Sequence, residues 1–250
     1  MASRRNAVHE TTKVELPSLT ARSVLLSTLL GSHPPELPVR SLVRVGELFG
    51  IAEGTVRVAL SRLAADGEVT GADGRYRLTG RLRERQRRQD ESRSPQVRAW
   101  DGTWLVAVVG PGDRSRAERA SLRAALESIR YAPLRDGTWT RPANLVHEPP
   151  VDVAEQCRFF TGRFDGDDTA LVATLWDLRR WAAVAKRLAD EMESASSPAE
   201  QFTIAAAILR HLLTDPLLPD ELLPGTWPGT ALRDAYDEFG RAFQQLLTTA

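Results

Sequence analysis

The segment GTVRVALSRLAADG, residues 54–67, carries small and cationic side chains at a spacing that suits contact with nucleic acid. At about 100° per residue, its apolar side chains share one helical face and are predicted to pack inward: Val56, Ala59, Leu60 and Leu63. The opposite arc has small residues at its centre and arginines at its edges. Such a face could enter a DNA major groove while its cations meet base edges or phosphates. The candidate DNA-contacting residues of this helix are Thr55, Arg57, Val58, Ser61 and Arg62.

Two further arginines follow the helix in a predicted β-hairpin. The stretch EVTGADGRYRLTG contains Asp73-Gly74, a strong signal for a tight turn between two short strands. Arg75 and Arg77 alternate with Tyr76 on the return strand, so the two arginines share one face. We predict that this hairpin is a wing whose arginines hold the DNA backbone.

The elements that must position these residues are two preceding helices. SLTARSVLLSTLLGSH predicts a helix capped by Thr20, and RSLVRVGELFG predicts a second that stops at Gly50, with HPPELPV as a stiff connector between them. A helix, a short glycine turn, another helix and a hairpin form a winged helix-turn-helix, here over residues 18–80. The same pattern also suits a winged helix that binds another protein instead of DNA.

Charge is divided unevenly along the 250 residues, although the net charge is zero. Residues 1–99 contain 17 Lys and Arg against 11 Asp and Glu, whereas residues 100–250 contain 16 against 22. A basic module favours polyanionic partners such as double-stranded DNA. Nearly all the cations are arginines, which suits bidentate contacts to phosphate or guanine, but a genome rich in G and C would produce the same bias.

Residues 81–98, RLRERQRRQDESRSPQVR, add seven arginines directly after the predicted wing. We predict an extended basic linker or arm for this segment. It could contact nucleic acid, or it could serve only as a solvated connection to the acidic half of the chain.

The remaining chain predicts two further units, which gives a multidomain α+β protein. Residues 99–165 predict a strand at 104–109, the helix RSRAERASLRAALESIR, a hairpin around Asp136-Gly137 and the strand CRFFTGRF, an order typical of a ferredoxin-like α+β domain. Residues 166–250 predict a mainly helical domain. It contains one long helix, DTALVATLWDLRRWAAVAKRLADEME, a helix capped by Ser197, a proline-paced segment and a closing helix.

Composition and motifs favour a cytoplasmic protein that is not an enzyme. The sequence shows no signal peptide, and its longest apolar run, WLVAVV, is far shorter than the roughly 20 residues of a membrane helix. The single cysteine, Cys157, lies in an apolar strand and is predicted to be a buried, inert thiol. No phosphate-binding loop or nucleophile elbow is present. The histidines lack metal-ligand spacing, so we predict no catalytic residue, metal or cofactor: His9, His33, His147 and His211.

Four stretches of the sequence resemble the PaaX-type regulators, the repressors of phenylacetic acid catabolism and their relatives. They are LFGIAEGTVRVALSRLAADGEV, WDGTWLVAVV, APLRDGTWTRPANL and the proline-paced DP-LP-ELLP-WPG, and the resemblance extends over about residues 20–247. It implies a dimeric, ligand-responsive repressor of an aromatic-acid catabolic operon. Binding of an aryl-CoA thioester such as phenylacetyl-CoA would release the operator DNA. An activator without a small-molecule effector is the alternative within regulation.

A phosphate-rich ligand would need local cations in the acidic half of the chain. The candidate ligand-binding residues are Arg135, Trp139, Arg141 and Arg163, although each also suits an ordinary surface or core position.

The middle domain of PaaX-type regulators is similar to small ferredoxin-like, CRISPR-associated endonucleases, which makes a metal-dependent nuclease the alternative function. Those nucleases need a carboxylate at the end of the first strand to hold a metal beside a phosphate. Here that strand ends Val108-Val109-Gly110, without a carboxylate. Asp101 precedes the strand and is expected to shape the turn that enters it.

Overall fold

The computed structural model describes residues 19–146 and 148–248 of the chain. His9 and His147, and residue 18 at the start of the predicted first domain, lie outside the described residues. The described part is α+β with two antiparallel sheets, as the sequence predicts. None of its helices is both long enough and apolar enough to span a lipid bilayer.

The N-terminal module contains three helices and a small antiparallel sheet. In chain order its elements are α1 (Ala21–Leu30), β1 (Glu36–Pro38), α2 (Val39–Leu48), α3 (Glu53–Ala65), β2 (Val69–Ala72) and β3 (Arg75–Leu78). The predicted helices and the hairpin are confirmed, and the Thr20 side chain caps α1 by accepting a hydrogen bond from the Ser23 amide. The expected connector HPPELPV is corrected in one respect, because its residues 36–38 pair with β3 and give the sheet order β1-β3-β2. Pro38 is tolerated there because β1 is an edge strand.

The predicted extended linker is wrong for most of its length, because Gly80–Arg93 form a helix, α4. Its inward side chains are spaced three or four residues apart and are buried: Leu82, Gln86, Gln89 and Ser92. Gln86 Nε2 donates hydrogen bonds of 2.9 Å to the carbonyl oxygens of both Leu30 and Ser32, so it satisfies the carbonyl end of α1. Three of the four inward residues are polar, and the segment therefore lacks the apolar periodicity that predicts a packed helix.

The central module is a four-stranded antiparallel sheet with helices on one face. Its elements are β4 (Trp104–Val109), α5 (Arg116–Ser128), β5 (Ala132–Arg135), β6 (Thr138–Pro142), α6 (Val151–Gln156) and β7 (Cys157–Gly162). The strand order is β5-β6-β4-β7. The predicted strands, the helix and the hairpin at Asp136-Gly137 are confirmed, and the core between sheet and helices includes Ala107, Leu126 and Trp139.

The C-terminal module consists of α7 (Asp168–Leu175), α8 (Leu178–Ser194), α9 (Pro198–Leu212), a short 3-10 helix (Asp220–Leu222) and α10 (Gly229–Thr248). The single long helix predicted from residue 168 is wrong, because the chain breaks at Trp176 and restarts with Asp177 as a cap. The Asp177 carboxylate accepts a hydrogen bond of 3.0 Å from the Arg180 amide. Ser197 caps α9 as predicted, by accepting one of 3.2 Å from the Glu200 amide.

The N-terminal and C-terminal modules pack directly on each other. Val24 of α1 and Val45 of α2 share a buried apolar cluster with Phe202 of α9 and Phe243 of α10. Phe49, the C-cap residue of α2, meets the Phe202 ring edge-on at a centroid distance of 5.2 Å. The position of α2, and hence of α3, is therefore fixed partly by the C-terminal helices.

Candidate nucleic-acid interface

A close approach between α2 and α3 sets the direction of α3. A Cβ atom on Gly46 of α2 would lie 2.5 Å from Val56 Cγ2 of α3, so only glycine fits at this crossing. The chain then turns at Gly50, whose φ of +66° favours glycine. Three apolar side chains seal α3 into the module's core, as predicted: Val56, Leu60 and Leu63.

The opposite face of α3 is open to solvent. All five candidate residues on it are exposed, namely Thr55, Arg57, Val58, Ser61 and Arg62. Val58 is 51% exposed at the centre of this face, where an apolar side chain suits contact with a thymine methyl group. A helix with one sealed face and one open face of this composition has the chemistry needed for base readout.

The two arginines on α3 differ in their surroundings. Arg57 is held by Glu53 one turn earlier, with Arg57 Nη2 at 2.7 Å from Glu53 Oε1. The Arg62 side chain makes no hydrogen bond or ion pair within residues 19–146 and 148–248, and it lies in the last turn of the helix, where a cation is favoured. Arg62 is therefore available to an external anion without breaking an internal contact.

The hairpin arginines share one exposed face, as predicted, but both turn toward an acidic residue of β1. Arg75 Nε lies 2.5 Å from Glu36 Oε1, and Arg77 Nε lies 3.8 Å from Glu36 Oε2. One carboxylate thus compensates part of the charge of two cations. Sequence reasoning missed Glu36, although a lone acidic residue between prolines in an extended stretch was a usable signal.

The tip of the hairpin is attached to the start of α2. Asp73 and Gly74 both have positive φ values, 50° and 71°, which makes the tight turn that the dipeptide predicts. The Val39 amide donates a hydrogen bond of 2.9 Å to the carbonyl oxygen of Gly74. The hairpin is therefore braced against α2, on the same module as the open face of α3.

The four candidate ligand-binding residues do not form one cluster. Trp139 and Arg141 lie two residues apart on β6 and are buried, and the Arg141 guanidinium lies 5.4 Å from the centroid of the Tyr131 ring. Burial lowers the pKa of Arg141. Arg135 ends β5 opposite Thr138, whereas Arg163 follows β7 beyond the other end of β6. Arg163 donates a hydrogen bond to the backbone carbonyl of Asp101. The assignment of a ligand to these residues stays a prediction.

The described residues of the central module include no grouping suited to a metal ion. Within the described ranges, no three His, Cys, Asp or Glu side chains come together as metal ligands. Asp101 Oδ1 accepts hydrogen bonds from the hydroxyl and the amide of Thr103, and these contacts lower the pKa of Asp101. It forms a turn before β4, as expected. Cys157 is buried as predicted, and burial raises the pKa of its thiol.

The three modules correspond to three matched segments of one family. Residues 20–82 match the model for PaaX-like proteins, residues 97–169 the PaaX protein central Cas2-like domain, and residues 173–249 the PaaX-like protein C-terminal domain. The transcriptional repressor PaaX of Escherichia coli (strain K12) is 26% identical over an alignment of 260 positions, which covers 90% of this chain and 80% of that protein. Among solved structures, the uncharacterized protein Rv0674 from Mycobacterium tuberculosis has a TM-score of 0.81 at 43% identity, over 92% of this chain and 98% of that one. This chain therefore belongs to the PaaX family, a family of transcriptional regulators and not of enzymes.

Proposed function

We propose that this protein is a cytoplasmic transcriptional repressor that binds double-stranded operator DNA through α3. The open face of α3 carries the proposal, because small residues at its centre allow close approach and Arg57 and Arg62 lie at its edges. The Escherichia coli relative is named a transcriptional repressor, which supports the same role.

The N-terminal module acts as a winged helix-turn-helix in this proposal. Helix α2 crosses α3 at Gly46, and the β2-β3 hairpin is the wing, with Arg75 and Arg77 on phosphates. The central module, with two strand-helix units around a hairpin and the order β5-β6-β4-β7, is ferredoxin-like. The protein acts as a homodimer whose two α3 helices enter successive major grooves about 34 Å apart or a multiple of it, so the operator is a near-palindrome.

A small-molecule effector controls the repressor. By analogy with the repressors of phenylacetic acid catabolism, an aryl-CoA thioester binds the protein and releases the DNA of a catabolic operon. Such release requires that the effector prefer a conformation in which the two α3 helices are wrongly spaced for the operator.

The test begins with selection of bound sequences from a random duplex DNA library. The selected duplex is then used to measure affinity by fluorescence anisotropy over a range of salt concentrations. Replacing Arg62 with alanine should weaken binding about tenfold or more, whereas replacing the exposed Arg180 of α8 should change nothing. Failure of the wild-type protein to enrich any sequence, or equal affinity of the Arg62→Ala variant, would overturn the proposal.

A further inference from the structure

A cavity of about 810 Å³ lies between the N-terminal module and the C-terminal helices. Helices α1 and α4 form one wall, and α9 and α10 form the other. Its volume is within the range of about 300–1,000 Å³ that small-molecule sites occupy. None of the four candidate ligand residues of the central module borders it.

The lining combines an apolar body with a cationic rim. The apolar part is formed by Leu26, Leu30, Phe202, Leu209 and Phe239. Three exposed arginines, one on each of α4, α9 and α10, also border the cavity, and none has an acidic partner in the described part of the chain: Arg85, Arg210 and Arg241. The carboxylate of Asp237 also borders the cavity, but it is already paired with Arg93. The cavity therefore favours an anion over a cation.

One buried polar side chain in the lining lacks a partner. Gln89 of α4 is 5% exposed, and its Oε1 atom receives no hydrogen bond from any described residue. Buried acceptors without a donor are rare in folded proteins, because they have lost water without a replacement. A small rotation about a side-chain torsion would point the Gln89 Oε1 atom at a hydrogen-bond donor on a molecule bound in the cavity.

We propose that this cavity binds an amphipathic organic anion. Its apolar body lies among the leucines and phenylalanines, its anionic group meets the three arginines, and a donor group on it satisfies Gln89. This inference rests on the proposed function, because occupancy of the cavity is the input that controls DNA binding.

Contacts across the cavity explain how occupancy reaches the DNA-binding module. Besides the Arg93–Asp237 pair, Gln244 Nε2 of α10 lies 3.5 Å from the carbonyl oxygen of Gly31 at the end of α1. A ligand that separates the walls strains these contacts and rotates the N-terminal module, together with α3, relative to α9 and α10.

Binding is tested by isothermal titration calorimetry of the full chain with four probes: phenylacetyl-CoA, CoA, phenylacetate and 8-anilinonaphthalene-1-sulfonate. The CoA and phenylacetate arms distinguish phosphate from carboxylate as the anionic group. Ala206 of α9 borders the cavity, so Ala206→Trp would occupy part of it, and Arg210→Gln removes a cation. Each change should raise the Kd of a probe that the wild type binds by about tenfold or more. The matched controls, Ala183→Trp and Arg180→Gln at exposed sites on α8, should bind as the wild type does. No binding of any probe, or full binding by both cavity variants, would overturn the proposal.

Gln89→Leu separates a ligand role from a structural one. Removal of an unpaired buried acceptor should raise the Tm of the ligand-free protein and also weaken probe binding. A rise in Tm with unchanged probe binding would contradict the role given to Gln89.

The selected duplex DNA is titrated in parallel. If the wild type binds a probe in the cavity but no DNA, the proposed function fails and the cavity assignment stands. If it binds DNA equally with and without bound probe, control through the cavity fails and DNA binding stands.

Discussion

The guanidinium of Arg93 on α4 lies 2.5 Å from the carboxylate of Asp237 on α10, and so joins the helix that follows the N-terminal module to the C-terminal helices. Arg93 also lies over the Tyr236 ring, 5.0 Å from its centroid. The two side chains are 23% and 33% exposed, so this contact is more shielded from solvent than a surface ion pair such as Lys186–Asp190.

Replacing Arg93 with alanine should lower the free energy of unfolding by about 1–2 kcal/mol, because it removes a charge-assisted hydrogen bond and leaves Asp237 without its partner. Urea unfolding followed by circular dichroism measures this. The control is Lys186→Ala, which breaks an exposed pair with Asp190 and should cost less than about 0.5 kcal/mol. Equal losses in the two variants would contradict the special role of Arg93.

Replacing Gly46 with alanine should destabilise the protein by about 1–3 kcal/mol, because the new methyl group overlaps Val56 Cγ2 and forces α3 away from α2. It should also weaken binding to the selected DNA. Gly54→Ala is the control for stability, because Gly54 is helical with nothing within 4 Å of an added Cβ. That change should stabilise α3 by about 0.5–1 kcal/mol. Thermal unfolding measures the stability of both variants. A Gly46→Ala variant as stable as the wild type would argue against a tight crossing of α2 and α3.

Stability should fall in mild acid because of His211. Its ring stacks on Trp181 at a centroid distance of 4.4 Å and its Nε2 lies 2.9 Å from the Trp181 carbonyl oxygen. Burial lowers the pKa of His211 and the nearby Arg187 lowers it further, whereas the hydrogen bond to the Trp181 carbonyl and the nearby Asp215 act in the other direction. A folded-state pKa below the unfolded value means that this stability is present above about pH 6.5 and is lost as the pH falls through the folded pKa.

Urea unfolding at pH 7.5 and pH 5.0 measures this loss. His211→Gln should show a smaller loss between the two pH values. An unchanged pH dependence in His211→Gln would exclude His211 as its source.

Replacing Glu36 with glutamine should strengthen DNA binding to all sequences alike, because it releases Arg75 and Arg77 toward phosphates. The slope of log affinity against log salt should become steeper by about 1, and Arg77→Ala should make it shallower by about 1. Anisotropy titrations with selected and scrambled duplexes measure both effects.

Glu53→Gln is the comparison. It frees Arg57 on α3, and it should change the preference between the two duplexes. A uniform effect from Glu53→Gln would place Arg57 on phosphates and not on bases.

Features that depend on local periodicity, such as the buried face of a helix, could be predicted from the sequence. Features that depend on contacts between segments far apart in the chain could not. The inward face of α3 followed from Val56, Leu60 and Leu63, because apolar residues at helical spacing identify a buried face. The role of Glu36 depends on a strand that pairs with it about 40 residues later along the chain. The break between α7 and α8 has no glycine or proline, only the Asp177 cap. The cavity needs α1 and α10, which lie at opposite ends of the chain.

The contact between Phe49 and Phe202 bears on whether the N-terminal module can be moved to another protein. Phe49 is the last residue before the turn into α3, and its ring rests on α9. A fragment ending near residue 80 would expose this ring together with Val24 and Val45, and would lose the cover that α4 gives to α1. The N-terminal module is therefore not expected to be stable as an isolated fragment. A chimaera that grafts it onto a different protein must also carry α4 and an apolar surface equivalent to that of α9 and α10.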